Sequence, residues 1–342
     1  MSERGRRASA LLRFNGKNVT ERLAPYMHSV TFTDVASGSS DSISVDLYDV
    51  DMVWLTDWYP TKGDKIEGWL LFKDWPKDGY SEYKSYGKFI LDSIRFSGGP
   101  LKASFGGLAI PEDRSFKTRD RTQTWEYVSL EGIAEDIASR YGLDLIYDAP
   151  DFTIESLEQT YRSDSDFLYS TVRSYGLKMK VYNFAIVIYD GKAVEAAPAV
   201  CTLDRTDFED DDWDYQDELE GTYTGATISY KSDAKEYEDE EIRISVGNTD
   251  GPRARVLNLN ERCSDWWEAE CKAAAKVNEA NEKMTTIKGT IYGTNILFST
   301  QCVMITGMGR ANGKYCIDKV TTTITDGGTK QKLEMHKCYK RL

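Results

Sequence analysis

Apolar positions recur at helical spacing in two consecutive stretches, and each stretch stops at a glycine. Leu130, Ile133, Ala134, Ile137, Ala138 and Tyr141 make the first stripe; Phe167, Leu168, Thr171, Val172 and Tyr175 make the second. Both end in Tyr-Gly-Leu, at Tyr141-Gly142-Leu143 and Tyr175-Gly176-Leu177. A glycine there closes a helix in the left-handed conformation it enters without steric cost. Ser129 stands where a first-turn N–H needs an acceptor, and so does the run Ser163-Asp164-Ser165-Asp166, whose acidic charge also suits the positive end of a helix dipole. The continuous apolar run 184–189 reads as a buried strand. The pattern therefore predicts, over 129–190, two helices packed on a short sheet. Two copies are too few for a solenoid. The unit is either a pseudo-symmetric packing module or a small binding module for a polymer or a partner protein.

On either side the period changes to two. Leu12 and Phe14 run into Asn15-Gly16, a hairpin signal, because a type I′ turn needs positive φ at both central positions. Strands are predicted at 26–35, at Ile43, Val45 and Leu47, at 66–72 and at 88–96. Turns between them fall at Gly38, Gly63-Asp64, Pro76-Lys77-Asp78-Gly79 and Gly98-Gly99-Pro100. Beyond the central module, 193–200 reads as a small-residue connector. Strands are expected at 223–230 and 241–246, with the charged stretch 231–240 as a solvated loop. A helix follows over 264–284, capped by Ser264 or Asp265. Trp266, Ala269, Ala273, Val277, Ala280 and Met284 form its stripe, broadened by Trp267, Cys271 and Ala274, and the two tryptophans are read as core or else as anchors of a subunit interface. Strands return at 286–292, 301–306, 314–325 and 330–337. The class is thus α+β, mainly β, with two antiparallel β-barrel units separated by a small α+β insert: residues 1–111, 112–200 and 201–342.

Composition narrows the functional classes. A net charge of -13 argues against binding nucleic acid through basic patches. Aromatics, at 12%, suit β structure and protein interfaces. Arg4, Arg6 and Arg7 are followed by no apolar segment, so no secretory signal is expected at the start, and residues 1–9 are expected to be loose. The longest apolar runs are far short of the ~20 residues of a membrane helix. Synthesis in a bacterial cytoplasm and no membrane anchor are the expectation.

Candidate chemistry is sparse. Of 14 residues from Asp207 to Glu220, nine are acidic, and mutual repulsion suggests an extended surface loop. A calcium loop of the EF-hand type would need a glycine that is missing there. The six cysteines, Cys201, Cys263, Cys271, Cys302, Cys316 and Cys338, include no C-x-x-C pair, so free thiols are expected and a zinc site is not. The two histidines, His28 and His336, lie in predicted strands with no nucleophile motif nearby. Glu131 with Glu135 or Asp136 would be a carboxylate pair on one exposed helix face, where a glycosidase needs two across a cleft. Gly307-x-Gly309 lacks the third glycine of a phosphate loop. No catalytic, cofactor or metal residues are assigned.

The order of units, β, α+β insert, then β with a long helix, resembles the late control gene D family: baseplate hub proteins of contractile phage tails, phage-tail-like bacteriocins and related injection systems. The resemblance is carried by Glu131-Gly-Ile-Ala-Glu-Asp-Ile-Ala138 with its Tyr-Gly-Leu, by the second Ser-Asp-Ser-Asp-Phe-Leu copy, by Ala273-Ala-Ala-Lys-Val-Asn-Glu-Ala-Asn281, and by Gly289 and Ile305–Val320, together about half the chain. The family often has a proline and a glycine near 294–299, and neither is present here. The resemblance implies a homotrimeric ring of two like barrels per chain, adapting a six-fold tail tube to a three-fold spike. Implied partners are the trimeric spike, tube or tube-initiator proteins and the C-terminus of the tape-measure protein, in the baseplate of a virion or phage-tail-like particle. No enzyme activity is implied. A cell-wall (peptidoglycan) binding or degrading role of 129–190 is the alternative. An acidic lumen would let DNA or a tape-measure protein pass without sticking.

Overall fold

The computed structural model describes residues 7–74, 79–231, 241–261, 263–293 and 296–342. The start of the basic N-terminus, the Pro76-Lys77-Asp78 turn, most of the charged stretch 231–240 and the first residues of the 294–299 loop lie outside them.

One sheet of thirteen strands takes in both ends of the chain. In its N-terminal half, Met27–Val35 pairs with Ser42–Tyr48, which leads through Lys102–Leu108, Ser81–Ser97 and Lys65–Lys73 to Arg7–Phe14, all antiparallel. In the C-terminal half, Gly313–Thr325 pairs with Gly328–Lys337, then Thr285–Tyr292, then Phe208–Asp217. The halves meet on one edge of Gly313–Thr325. Its first residues pair with Cys302–Thr306, which carries the short parallel strand Cys201–Asp204, and its later ones pair with Met27–Val35. The mainly β, α+β class is as expected. The expected barrels are two halves of one sheet, and strand pairing closes neither among the described residues. Alternation tells which face of a strand is buried; it does not tell which strand lies beside it.

The register explains the N-terminal core. Val30 faces Val45 and Phe32 faces Ile43, so apolar pairs line one face, and all four are buried. Phe32 stacks on Tyr86 at 4.1 Å between centroids. Gly68 makes room for it: a Cβ there would lie 2.3 Å from the Phe32 ring. Asn15 and Gly16 take φ of 47° and 76°, the turn anticipated for the first hairpin.

The central unit follows the predicted rhythm but is larger. Each helix is preceded by a strand that the pattern missed, so the repeat is strand, serine cap, helix, glycine, strand. Asp120–Ser129 leads to Leu130–Arg140 and Asp144–Asp148; Thr153–Ser163 leads to Asp164–Ser174 and Lys178–Tyr182. The caps are as read: Ser129 Oγ accepts from Gly132 N at 3.0 Å and Ser163 Oγ from Asp166 N at 3.1 Å. The stops are too. Gly142 and Gly176 have φ of 62° and 77°, and the N–H of Leu143 and of Leu177 reaches back to Ala138 O and Val172 O. The leading strands pair with each other as a two-stranded ribbon. The closing strands flank Ala185–Tyr189, Lys178–Tyr182 antiparallel and Asp144–Asp148 parallel.

Three readings are corrected. The acidic segment is no loop: Phe208–Asp217 is a strand on Thr285–Tyr292. Trp213 and Tyr215 are half-buried while Asp210, Asp211, Asp212 and Asp214 face solvent, so charge hid a period of two. Next, 193–200 is not all connector. Gly191–Ala196 is a helix turn capped by Asp190, and Glu195 is buried. Last, Trp266 and Trp267 are 61% and 42% exposed rather than core. The helix, Trp266–Glu282, buries its alanine side (Ala269, Ala273, Ala274) against Gly225–Lys231 and Glu241–Gly247. Both tryptophans occupy its first turn, beyond that contact.

Candidate functional site

Two kinds of site emerge from these elements: charge clusters that join the units, and apolar surface left uncovered. The first cluster sits where three units meet. Lys180, from the central sheet, places Nζ 2.6 Å from Asp34 Oδ1 and 3.1 Å from Asp41 Oδ2. Asp34 also accepts from Ser299 N at 2.7 Å, and Tyr189 OH donates to Ala36 O at 2.7 Å. Burial raises Asp41 to about 6, against the pull of Lys180 and with the push of Asp34. Burial opposes the Lys180 charge, but the two carboxylates raise its pKa all the same.

The second cluster ties the C-terminal end. His336 is 2% exposed, with Nδ1 2.7 Å from Asp318 Oδ1 and Nε2 2.9 Å from Glu195 Oε1. Arg341 also donates to Glu195, and Glu282 on the long helix pairs with Lys178. Burial works against a charged imidazole. Hydrogen bonds to Asp318 and Glu195, with the charges of Asp318 and Glu282, outweigh it and push His336 up to about 9. Burial likewise works against the Glu195 carboxylate, yet its bonds to His336 and Arg341 bring it down to about 2. The signs follow by linkage. The histidine's contribution is present below 6.5 and lost as pH rises through about 9, whereas that of Glu195 is present above 4.5 and lost as pH falls through about 2. Glu282, Asp318 and His336 have metal-ligand spacing, the one such group among the described residues. Their negative charge already faces Lys178, Arg341 and the imidazolium.

The third cluster stitches the two central copies. Asp164 is fully buried, receiving Arg140 Nη1 at 2.8 Å, Tyr141 OH at 2.6 Å and Gln159 Nε2 at 2.8 Å. Tyr175, the counterpart of Tyr141, reaches Glu268 Oε1 on the long helix at 2.8 Å. The Tyr of each Tyr-Gly-Leu thus bonds to a helix later in the chain.

The uncovered apolar surface is concentrated on the loop between Ser42–Tyr48 and Lys65–Lys73. Val50 is 72% exposed, and Met52, Leu55, Trp58 and Tyr59 are exposed beside it. Trp58 and Trp54 pack edge-on against each other and against Tyr26, which fixes the loop. A second site comprises Trp266 and Trp267, the latter 5.5 Å from the Phe152 ring. A third is a matched pair: Tyr127 and Tyr161, each two residues before a serine cap, have φ of 48° and 46° and are 83% and 80% exposed.

Most residues singled out in the sequence do not converge. Glu131 and Glu135 remain on a solvated helix face, and Asp136 pairs with Arg140 at 2.9 Å. His28 Nε2 meets Lys102 Nζ at 3.2 Å. Gly307 and Gly309 flank a turn after Cys302–Thr306. Among the acids 209–214, Asp212 accepts from Thr290 at 2.8 Å, Glu209 pairs with Lys330 and Asp211 with Arg205. All six cysteines are free. The buried clusters were missed because their members are far apart in sequence and each looks like an ordinary surface charge there.

No family model and no curated protein matches the chain. Solved structures do. The tail protein from Neisseria meningitidis MC58 superposes with a TM-score of 0.72 at 12% identity, over 96% of each chain. The 43 kDa tail protein of prophage MuSo2 from Shewanella oneidensis gives 0.73 at 11% identity, over 97% of this chain and 98% of that one. An E. coli type VI secretion system component, described as structurally similar to bacteriophage T4 tail proteins, gives 0.53 at 11% identity, over 92% and 74%. The chain therefore has the fold of these tail proteins from end to end.

Proposed function

We propose that the protein is a structural, non-catalytic baseplate hub of a contractile tail or injection particle, of the late control gene D kind. It acts as a homotrimeric ring between a six-fold tube and a three-fold spike. The observation that carries the reading is the end-to-end correspondence with two phage tail proteins, at TM-scores of 0.72 and 0.73. The interior supports it. Buried ions at unit junctions are spent on holding units together, each carboxylate facing a cation, rather than being left free at a cleft. The exposed loop around Val50 and Leu55 gives such a ring apolar surface to bury between copies of the chain. The spike, the tube or tube-initiator protein and the tape-measure C-terminus are its partners, and a virion or phage-tail-like particle is its place of work.

Light scattering coupled to size exclusion tests the reading, with the full chain alone and mixed with a trimeric spike protein. Three copies per particle, alone or with the spike, is the expected mass. A monomer that ignores the spike would remove the proposal. Tyr127 and Tyr161 favour a second reading, in which the central module offers two aromatic faces to a cell-wall polymer. Retention on purified peptidoglycan would speak for that one.

A further inference from the structure

The long helix carries two asparagines one turn apart, Asn278 and Asn281, and each holds the backbone of one residue from elsewhere in the chain. Asn281 Oδ1 accepts from Tyr223 N at 2.8 Å, and its Nδ2 donates to Tyr223 O at 2.8 Å. Asn278 does the same for Leu342, accepting from its N–H at 2.9 Å and donating to its carbonyl at 3.2 Å. A side-chain amide offers the same donor and acceptor as a peptide unit, so it stands in for a neighbouring strand. Asn278 is 8% exposed, so an empty clamp would leave a buried amide short of partners.

Segment 338–342 lies in this clamp. Past Cys338, whose N–H donates to Lys314 O, side chains hold the segment in place of a strand ladder. Tyr339 OH meets Thr285 Oγ1, Arg341 Nε donates to Glu195 Oε1 at 2.9 Å, and Lys192 Nζ donates to Leu342 O at 2.5 Å. Tyr339 and Leu342 are each 39% exposed, and Lys340 faces solvent between them. A cleft of about 290 Å³ stays open beside the segment, with Tyr223, Val277 and Met284 along it. The segment thus has the anchors of a bound peptide and does not fill its groove.

We propose that this groove is a peptide-docking site, occupied in cis by 338–342 and able to take in trans an extended segment of a partner protein with the same chemistry: a tyrosine and, two places on, an arginine followed by an apolar residue. Thr285 meets the phenol, Glu195 the guanidinium and Asn278 the backbone of the apolar residue. Its tether gives 338–342 an effective concentration on the order of millimolar, so a partner segment must bind better to displace it. The open cleft is where a bulkier apolar side chain gains contacts. Because the segment buries little and makes no ladder, its release is local and leaves the sheet intact. The proposal does not depend on the hub reading.

The test uses a fluorescent peptide of sequence Tyr-Lys-Arg-Leu, read by anisotropy against the full chain. Arg341→Asp turns the chain's own segment away from Glu195 and leaves Thr285, Glu195 and Asn278 in place for the peptide. That variant should bind the peptide about tenfold more tightly than the wild type, whose own segment competes. Adding Asn278→Ala should abolish the gain, and a Tyr-Lys-Glu-Leu peptide should not bind. Equal binding to wild type and folded Arg341→Asp, or none to either, would overturn the proposal. The wild type also decides the matter by itself, should the variant not fold. The same peptide with a photoreactive group in place of its leucine, in large excess, should label Trp266–Glu282; label only elsewhere, or none, would overturn the proposal.

Discussion

Lys180 is the residue on which the junction turns. It comes from the central sheet, yet its two partners, Asp34 and Asp41, belong to the N-terminal strands, and Asp34 also holds the Ser299 loop. Removing one partner from a buried pair costs more than the pair is worth, because a charge is left without compensation. Lys180→Met should therefore destabilise the chain by about 3–5 kcal/mol at pH 7. Asp41 is raised to about 6, so in the native protein its contribution is present below 3.8 and is lost as pH rises through about 6. Protonating Asp41 removes much of the uncompensated charge, so the penalty of Lys180→Met should shrink towards pH 5. Urea denaturation at the two pH values measures both effects; a loss under about 1 kcal/mol, or one independent of pH, would contradict the account. None of this was legible beforehand. Asp34 and Lys180 are 146 residues apart, and neither carries a local sign of burial beyond the apolar neighbours of its strand.

At the scale of elements, legibility tracked how much of the signal was local. Helix stripes, serine caps and glycine stops were readable because each rests on residues within four or five positions of one another. The ribbon strands Asp120–Ser129 and Thr153–Ser163 were not: of their side chains, few are buried, and Tyr127 and Tyr161 point to solvent. A strand whose apolar face is that thin has no alternation to display. The two stops look alike in sequence but differ in their surroundings. A Cβ on Gly142 would meet nothing within 4 Å, whereas one on Gly176 would lie 3.2 Å from Ala275 Cβ on the long helix. Gly142→Ala should then cost only the left-handed backbone, about 1–2 kcal/mol. Gly176→Ala should cost that and more, by forcing the helices apart. Thermal melts of the two variants order them; equal losses would mean that the long helix yields freely at Ala275. The acidic strand teaches the same lesson from the other side. Its register against Thr285–Tyr292 was set by Trp213 and Tyr215, two half-buried rings among acids that drew attention to charge.

For the molecule as a whole, the shared strand matters most. Gly313–Thr325 gives one edge partly to Cys302–Thr306 and partly to Met27–Val35, so neither half of the sheet can open without stripping hydrogen bonds from the strand that seals the other. An exposed edge of that length would leave a row of N–H and C=O groups unpaired. The flanking units should therefore unfold together although they lie at opposite ends of the chain. The ribbon of Asp120–Ser129 and Thr153–Ser163 pairs only with itself, so it should open alone and earlier. Hydrogen exchange of the native chain at low denaturant separates these cases. Amides of Met27–Val35 and of the later part of Gly313–Thr325 should share one opening free energy, equal to that of global unfolding, and the ribbon amides should exchange through a smaller one. If the N-terminal strands instead opened well below the C-terminal ones, the pairing of Gly313–Thr325 with Met27–Val35 would be a contact between separate domains. A rigid two-ended subunit, as the proposed ring between parts of unequal symmetry requires, would then have to draw its stiffness from contacts with its neighbours.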